Sequence, residues 1–540
     1  NAPDTSAITA AFPRGLLYGA ALTGGIASLG LEMTMSRLVG AVLGTSNLVW
    51  AAVITLTLLY LTLGYWLGGR WADRSPQPGT LLGILAAAAL AGGLLPLIYR
   101  PLILAMARAF SLVSFDGAVL ALSFVSVALL FALPVTLLGC VSPFVVRLLV
   151  GDVTQAGRVA GRVYALSTLG SLLGTFTPVL VLIPALGTAR TFLLLSALLL
   201  AVAFAGFWRL GGMRLMLRRA WMPALLVVAL LLYAGGPVKP APAGTRLLYE
   251  AETPYNYVQV VEVTTDTVSL QPPGTRLLLL NEGQGVHSVY HPDVLRTQGT
   301  WDYFLTAPYY NPAPYAPDQL RRIAVVGLAA GTIAQQYTAV YGEGVQIDGI
   351  EIDPGIVEAG RRYFGMTMPN LNVIVEDGRY AFQGLEGGYD LIAIEAYRVP
   401  YIPWQLTTVE YFRELRDHLA PEGVLMINVG RASSDRRLVE AMTATLLEVF
   451  PTVHTLDVPR SFNTMLTATQ MPTTPENLLA NRDALPTDAH PLLGEMLDAA
   501  YAAGMPTVSS GLVFTDDRAP VETLVNAMVL EFILGEGSVN

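Results

Sequence analysis

Three carboxylates, Glu351, Asp377 and Glu395, each close a short apolar run, and a glycine-rich turn precedes the first of them. The turn is Gly327-Leu328-Ala329-Ala330-Gly331-Thr332, entered from the run Arg322-Ile323-Ala324-Val325-Val326. Small residues at 327, 329 and 331 let the backbone approach a nucleoside closely, and an acid about twenty residues on is placed to accept hydrogen bonds from both ribose hydroxyls. Glu351 has that position. Asp377 is placed to accept from an adenine amino group, and equally placed to cap the helix that Gly378-Arg379-Tyr380 begins. Asp353, ahead of Pro354, is a helix cap by residue preference. Glu395 leaves the C-terminal end of Tyr389-Asp390-Leu391-Ile392-Ala393-Ile394, where open parallel sheets hold their ligands.

These residues need an alternating strand and helix frame. The runs at Arg322, before Glu351, from Asn372, from Tyr389 and from Gly423 to Val429 supply five strands, and Thr452 to Val458 with Thr464 to Thr469 a closing pair. Together they read as a seven-stranded sheet of the α/β Rossmann-like, methyltransferase type over 311–540. Ahead of it, Tyr257 to Val263 and Arg276 to Leu280, separated by Gln271-Pro272-Pro273-Gly274, read as a small N-terminal β-hairpin unit within 246–310. Its ends carry polar groups, among them Asn256, Glu282, Tyr290 and His291. The Pro/Gly/Ala stretch from Gly235 to Gly244 has no apolar periodicity and sets a linker at 237–245.

Residues 1–236 differ in kind. The chain has 540 residues, of which 53% are hydrophobic and 14% charged, and its long apolar runs are concentrated in this half. About seven spanning segments, from Gly15 to Tyr233, predict a multi-pass α-helical membrane domain. Gly, Ala, Ser and Thr within them, as at Gly24-Gly25 and Gly170-Ser171-Leu172-Leu173-Gly174, allow close helix packing. Glu32 and Arg37 are ionisable residues inside a span, which suits either a transport role or a structural charge pair. Arginines counted loop by loop put the N-terminus in the cytoplasm, and an odd number of spans then leans the soluble part to the extracytoplasmic face. The net charge of −9 argues against nucleic acid and is compatible with a cationic substrate, although surplus carboxylates as a rule serve solvation. The single cysteine, Cys140, lies in an apolar run, so no disulfide framework, cysteine-based metal site or cysteine nucleophile is expected.

With these motifs in view, residues from about Tyr249 onward resemble the spermidine synthase family of polyamine aminopropyltransferases, and the whole chain resembles its membrane-fused branch. The resemblance rests on Glu252-Thr253-Pro254-Tyr255-Asn256-Tyr257, Glu282-Gly283, Tyr290-His291, the turn from Gly327 to Thr332, Ile350-Glu351-Ile352-Asp353, Glu376-Asp377-Gly378, Ile394-Glu395-Ala396-Tyr397, and the run from Leu406 to Phe412. It implies transfer of an aminopropyl group from decarboxylated S-adenosylmethionine, a co-substrate and not a bound cofactor, to an amine such as putrescine. In that scheme Glu395 is the catalytic base. Asn256, Gly327, Gly331, Glu351, Asp377 and Gly378 hold the nucleoside sulfonium, and Glu282, Tyr290, His291, Tyr397, Asp516 and Asp517 face the polyamine. No metal is called for, and a homodimer is among the expected assemblies. Three positions depart from the family's pattern: Ala330 and Arg398 stand where it has aspartates, and Asn256 where it has glutamine. Two other functions fit the same residues: a polyamine transporter or sensor with a non-catalytic nucleoside-binding domain, and an S-adenosylmethionine-dependent methyltransferase.

Overall fold

The computed structural model describes residues 12–525 and 528, apart from 44–46, 111–117, 234–240, 266–270, 282–284, 398–401, 433–434 and 526–527. Glu282 and Arg398 therefore lie outside the described residues. The chain divides into two compact units, Asn1–Val238 with Glu252–Pro254, and Lys239–Ala251 with Tyr255–Asn540.

The first unit is a bundle of apolar helices. Among the described residues six are long and apolar enough to cross a membrane: Arg14–Leu38, Trp50–Arg74, Pro78–Tyr99, Val127–Leu149, Val153–Leu186 and Thr188–Arg218. The last segment, Trp221–Tyr233, is a helix of 13 described residues, and at about 1.5 Å per residue that falls well short of a hydrocarbon core of about 30 Å. The glycines pack as their spacing suggests. A methyl group at Gly25 would overlap the Ser167 carbonyl, and one at Gly170 the Leu22 carbonyl, so these two helices touch backbone to backbone. Glu32 is buried inside this bundle.

The second unit contains two sheets. The larger has strands β5 (Arg322–Val326), β6 (Gln346–Ile350), β7 (Leu371–Ile374), β8 (Tyr389–Ile394), β9 (Leu419–Gly430), β10 (Thr452–Asp457), β11 (Asn463–Thr469) and β12 (Gly504–Met505), in the order β12-β10-β11-β9-β8-β5-β6-β7. Strands β5 to β9 pair in parallel, and β11, β10 and β12 antiparallel. The expected seven strands are present, and the two-residue β12 makes eight. Consecutive residues point to opposite faces. Ile323, Val325, Leu391 and Ala393 thus join one core with Phe304 and Tyr337, while Ala324, Val326, Ile392 and Ile394 join another with Tyr411 and Phe412.

The smaller sheet has four strands, β1 (Thr245–Glu252), β2 (Tyr257–Val263), β3 (Arg276–Leu280) and β4 (Val286–Tyr290), not the hairpin expected. The two strands missed are those without clean alternation: β1 mixes Arg, Tyr and Glu among its leucines, and β4 is only five residues long. Val261 and Leu277 of this sheet share the core of Ile323 and Val325, so the two sheets are built on common packing.

Candidate functional site

The turn after β5 is fixed by the backbone it must approach. Gly327 has φ +82°, and a Cβ there would stand 2.7 Å from both the Glu395 carbonyl oxygen and Ala396 Cα. Only glycine fits, because the end of β8 passes directly over the turn. Gly331, at φ +91°, opens the helix Thr332–Tyr341. Ala329 also has positive φ, 48°, and its amide donates to Glu351 Oε2 at 3.0 Å. Strand β4 is tied to the same turn, since the Ala330 amide donates to Ser288 Oγ at 2.9 Å and the Val289 amide to Thr332 Oγ1 at 3.0 Å.

Glu351 follows β6 directly and is buried. Its Oε1 accepts from the Asp353 amide at 3.0 Å. Burial pushes its carboxyl up to about 7, and the hydrogen bonds from the amides of Asp353, Ala329 and Ile352 act in the opposite sense. Asp353 caps the helix Pro354–Tyr363 through the Gly355 amide, 2.9 Å away. Its other oxygen accepts from Asn256 Nδ2 at 2.9 Å, and Asn256 Oδ1 accepts from Asn281 Nδ2 at 2.8 Å. Asn256 thus braces the acid-bearing loop after β6.

Asp377 does cap a short helical turn, Tyr380–Gly384: its Oδ1 accepts from the amides of Arg379 at 2.9 Å and Tyr380 at 3.2 Å. Its Oδ2 makes no hydrogen bond among the described residues. Gly378 lies against Val326, where a Cβ would come within 2.7 Å of Cγ1.

Glu395 leaves β8 into a cavity of about 540 Å³. Its Oε1 accepts from Asn428 Nδ2 at 3.1 Å and from Thr300 Oγ1 at 3.3 Å. Its Oε2 is sealed from solvent and has no hydrogen-bond partner among the described residues. Burial pushes this carboxyl up to about 7, and the hydrogen bonds from Asn428 and Thr300 draw it partly back. Ala329 of the glycine turn and Tyr397 line the same cavity, and the Tyr397 hydroxyl donates to the Asn428 carbonyl at 3.0 Å. A buried Asp302 holds the loop before Thr300, accepting from the amides of Thr297 at 2.9 Å and Gln298 at 2.8 Å.

The remaining sequence candidates lie elsewhere. Tyr290 packs its ring 6.4 Å from that of Phe364, and His291 Nδ1 accepts from the Asp293 amide at 3.1 Å; neither lines the cavity. Asp516 pairs with both terminal nitrogens of Arg379 at 2.7 Å and with Thr408 Oγ1 at 2.7 Å. That guanidinium holds its carboxyl below the usual range. Asp517 is exposed and outside the cavity wall. Conversely, His287, Thr300, Asn428 and Arg431 line the cavity and were not singled out from sequence. Asn428 left a signal, a polar residue in the apolar run Val424-Leu425-Met426-Ile427-Asn428-Val429. His287 and Arg431 left none.

An eight-stranded, largely parallel sheet with a glycine turn and acids at its carboxyl edge defines a Rossmann-like fold of the methyltransferase type, joined here to a bundle of membrane-spanning length. No family model matches the chain. It is 30% identical over 299 residues to a probable polyamine aminopropyl transferase of Bifidobacterium longum, covering 52% of this chain and 62% of that one. It is also 30% identical over 176 residues to a polyamine aminopropyltransferase of Vibrio vulnificus, covering 32% of this chain and 53% of that one. The crystal structure of a probable spermidine synthase from Corynebacterium glutamicum superposes with a TM-score of 0.36 and 18% identity, over 51% of this chain and 98% of that one. The chain spans less than two thirds of the length of either of these two curated relatives.

Proposed function

We propose that the chain is a membrane-bound aminopropyltransferase, moving the aminopropyl group of decarboxylated S-adenosylmethionine onto an amine. The observation that carries this reading is Glu395, a carboxylate with one buried, unpartnered oxygen and a proton affinity raised to about 7, in a cavity shared with the glycine turn. The names of the two curated relatives support the same reaction class.

In this reading Glu351 accepts from the ribose hydroxyls, Asp377 Oδ2 from the adenine amino group, and the small residues 327 to 331 leave room for the nucleoside. The acceptor enters as its ammonium form and gives one proton to Glu395 Oε2. The freed lone pair attacks the methylene carbon beside the sulfonium, the carbon–sulfur electron pair returns to sulfur, and neutral methylthioadenosine leaves. The product is a secondary ammonium, and Glu395 releases its proton to solvent. A base whose pKa lies near the working pH serves this step best, since it is ionised yet still basic. Thr300 and Asn428 fix Oε1 and so hold the carboxylate in place at the cavity wall.

For the membrane side, the six long helices among the described residues make an even count, which brings the chain back to the arginine-rich, cytoplasmic side that holds Arg14. With Cys140→Ser as background, Thr487→Cys should resist an impermeant maleimide in intact cells; labelling there would restore a seventh crossing and the opposite side.

The transfer reading is tested with the purified full chain, decarboxylated S-adenosylmethionine and a panel of amines, following methylthioadenosine. Product that depends on Glu395 supports it. Tighter calorimetric binding of S-adenosylmethionine than of its decarboxylated form, with no methylthioadenosine from any amine, would favour a methyltransferase instead.

A further inference from the structure

A second cavity shares two stretches of chain with the Glu395 cavity. Gly299, Thr300 and Trp301 line the Glu395 cavity, while Gln298, Asp302 and Tyr303 of the same loop line the second. After β10 the pattern repeats: Val458, Pro459 and Arg460 line the second cavity, and Ser461, Phe462 and Asn463 the first. The second cavity measures about 280 Å³, near the lower end of small-molecule sites at roughly 300 Å³.

Val458, Pro459, Met496 and Ala499 supply carbon surface to it. Two guanidiniums, Arg296 and Arg460, line the same space, and their charges reach the Tyr303 hydroxyl: burial pushes that phenol up, Asp302 adds to the rise, and both arginines oppose it. Tyr303 is 7% exposed, and its hydroxyl has no hydrogen-bond partner among the described residues. A buried O–H left without a partner costs free energy that an acceptor on a ligand would return. Arg460 makes no ion pair or hydrogen bond among the described residues, whereas Arg296 pairs with Glu495.

Asp302, an acid in this wall, is committed to the chain itself. It accepts from the Thr297 amide at 2.9 Å, the Thr297 hydroxyl at 2.7 Å, the Gln298 amide at 2.8 Å and Gln336 Nε2 at 2.6 Å. Its charge is spread over those donors, and it fixes the loop that carries Thr300. Gln298 and Arg460 both hold left-handed backbone, φ +57°, so each shared stretch is bent at a residue that meets the second cavity.

We infer that this second cavity binds a small organic anion, with its carboxylate or phosphate head on Arg460 and the Tyr303 hydroxyl and its apolar body against Val458 and Met496. An occupant that orders Gln298 and Tyr303 also orders Thr300 between them, the donor to Glu395 Oε1, so occupancy is felt at Glu395. Binding does not depend on the aminopropyl-transfer reading; its effect on turnover does.

The full chain in detergent is titrated into para-fluorobenzoate, para-fluorophenyl phosphate and the neutral para-fluorobenzamide, and binding is read from fluorine NMR line broadening. At least one anion should bind with a Kd of about 1 mM, at least about tenfold more tightly than the amide; the tighter of the two identifies the head group. Arg460→Asn removes the charge and places a residue that tolerates left-handed backbone, so the fold is kept, and it should weaken the anion at least about tenfold. Ala502→Trp, at an exposed position on the cavity wall, should also abolish binding by filling the space with both donors in place. Anion binding that survives both substitutions, equal binding of the amide, or no binding at all overturns the inference. With saturating anion, methylthioadenosine release should rise at least about threefold in the unmodified chain and stay level in Arg460→Asn. Turnover that ignores a bound anion overturns the link to Glu395. No product from any amine overturns the transfer reading and leaves the binding result standing.

Discussion

Replacing Glu395 with glutamine is the sharpest perturbation the site allows. The amide keeps the side chain's size, and its oxygen can still accept from Thr300 and Asn428, so what is lost is the proton-accepting Oε2. A positioned general base contributes about 10²- to 10⁴-fold, which is roughly 3–5 kcal/mol of barrier. Turnover in Glu395→Gln should therefore fall by about that factor, with nucleoside affinity by calorimetry changed less than about threefold. In the unmodified chain kcat should rise with pH and level off above about 7, because Glu395 must be ionised to act. The same shift has a consequence for stability. A carboxyl raised from 4.5 to about 7 in the folded state contributes stability that is fully present below 4.5 and lost as the pH rises through 7. That loss amounts to roughly 3 kcal/mol at most. The glutamine variant should thus unfold at a higher temperature than the unmodified chain near about pH 8, and at nearly the same temperature near about pH 5. Methylthioadenosine release and thermal unfolding in detergent read both effects. Turnover within about threefold of the unmodified chain, or a Glu395→Gln variant less stable at high pH, would refute the assignment of Glu395 as a buried base.

Other substitutions separate binding from bracing. Gly327→Ala combines positive φ with a Cβ 2.7 Å from the Glu395 carbonyl, and should cost at least about 2 kcal/mol and abolish nucleoside binding by calorimetry; unchanged affinity would show that the turn does not face the ligand. Asn256→Ala withdraws a donor from the fully buried Asp353 and should destabilise by about 1–3 kcal/mol, with nucleoside affinity down about tenfold because Asp353 positions Glu351. Thermal unfolding and titration check the two parts separately. Asp516→Asn loosens an exposed pair with Arg379 and should cost under about 1 kcal/mol while leaving the acceptor KM unaltered; a higher acceptor KM at unchanged stability would return Asp516 to the substrate site.

The sequence alone made legible the frame and the acids at its strand ends. Apolar runs of spanning length, strand period and the glycine turn are local patterns, each written within about thirty residues, and Glu351, Asp377 and Glu395 could be found because acids at strand ends break an apolar run. β1 and β4 went unseen for want of alternation. Asp377 could not be resolved from sequence because capping and ligand binding ask for the same residue, and in the fold one oxygen caps while the other is left over. Tertiary structure alone decided the surroundings of Glu395. Glu395, Thr300, Asn428 and Arg431 come from distant stretches and meet only when β8 and β9 pair, so neither the orphaned oxygen nor the charge balance around it is a property of any segment. Asp516 shows the converse: an acid in an inviting motif is claimed by Arg379 from 137 residues away, and its role was set by the partner the fold gave it.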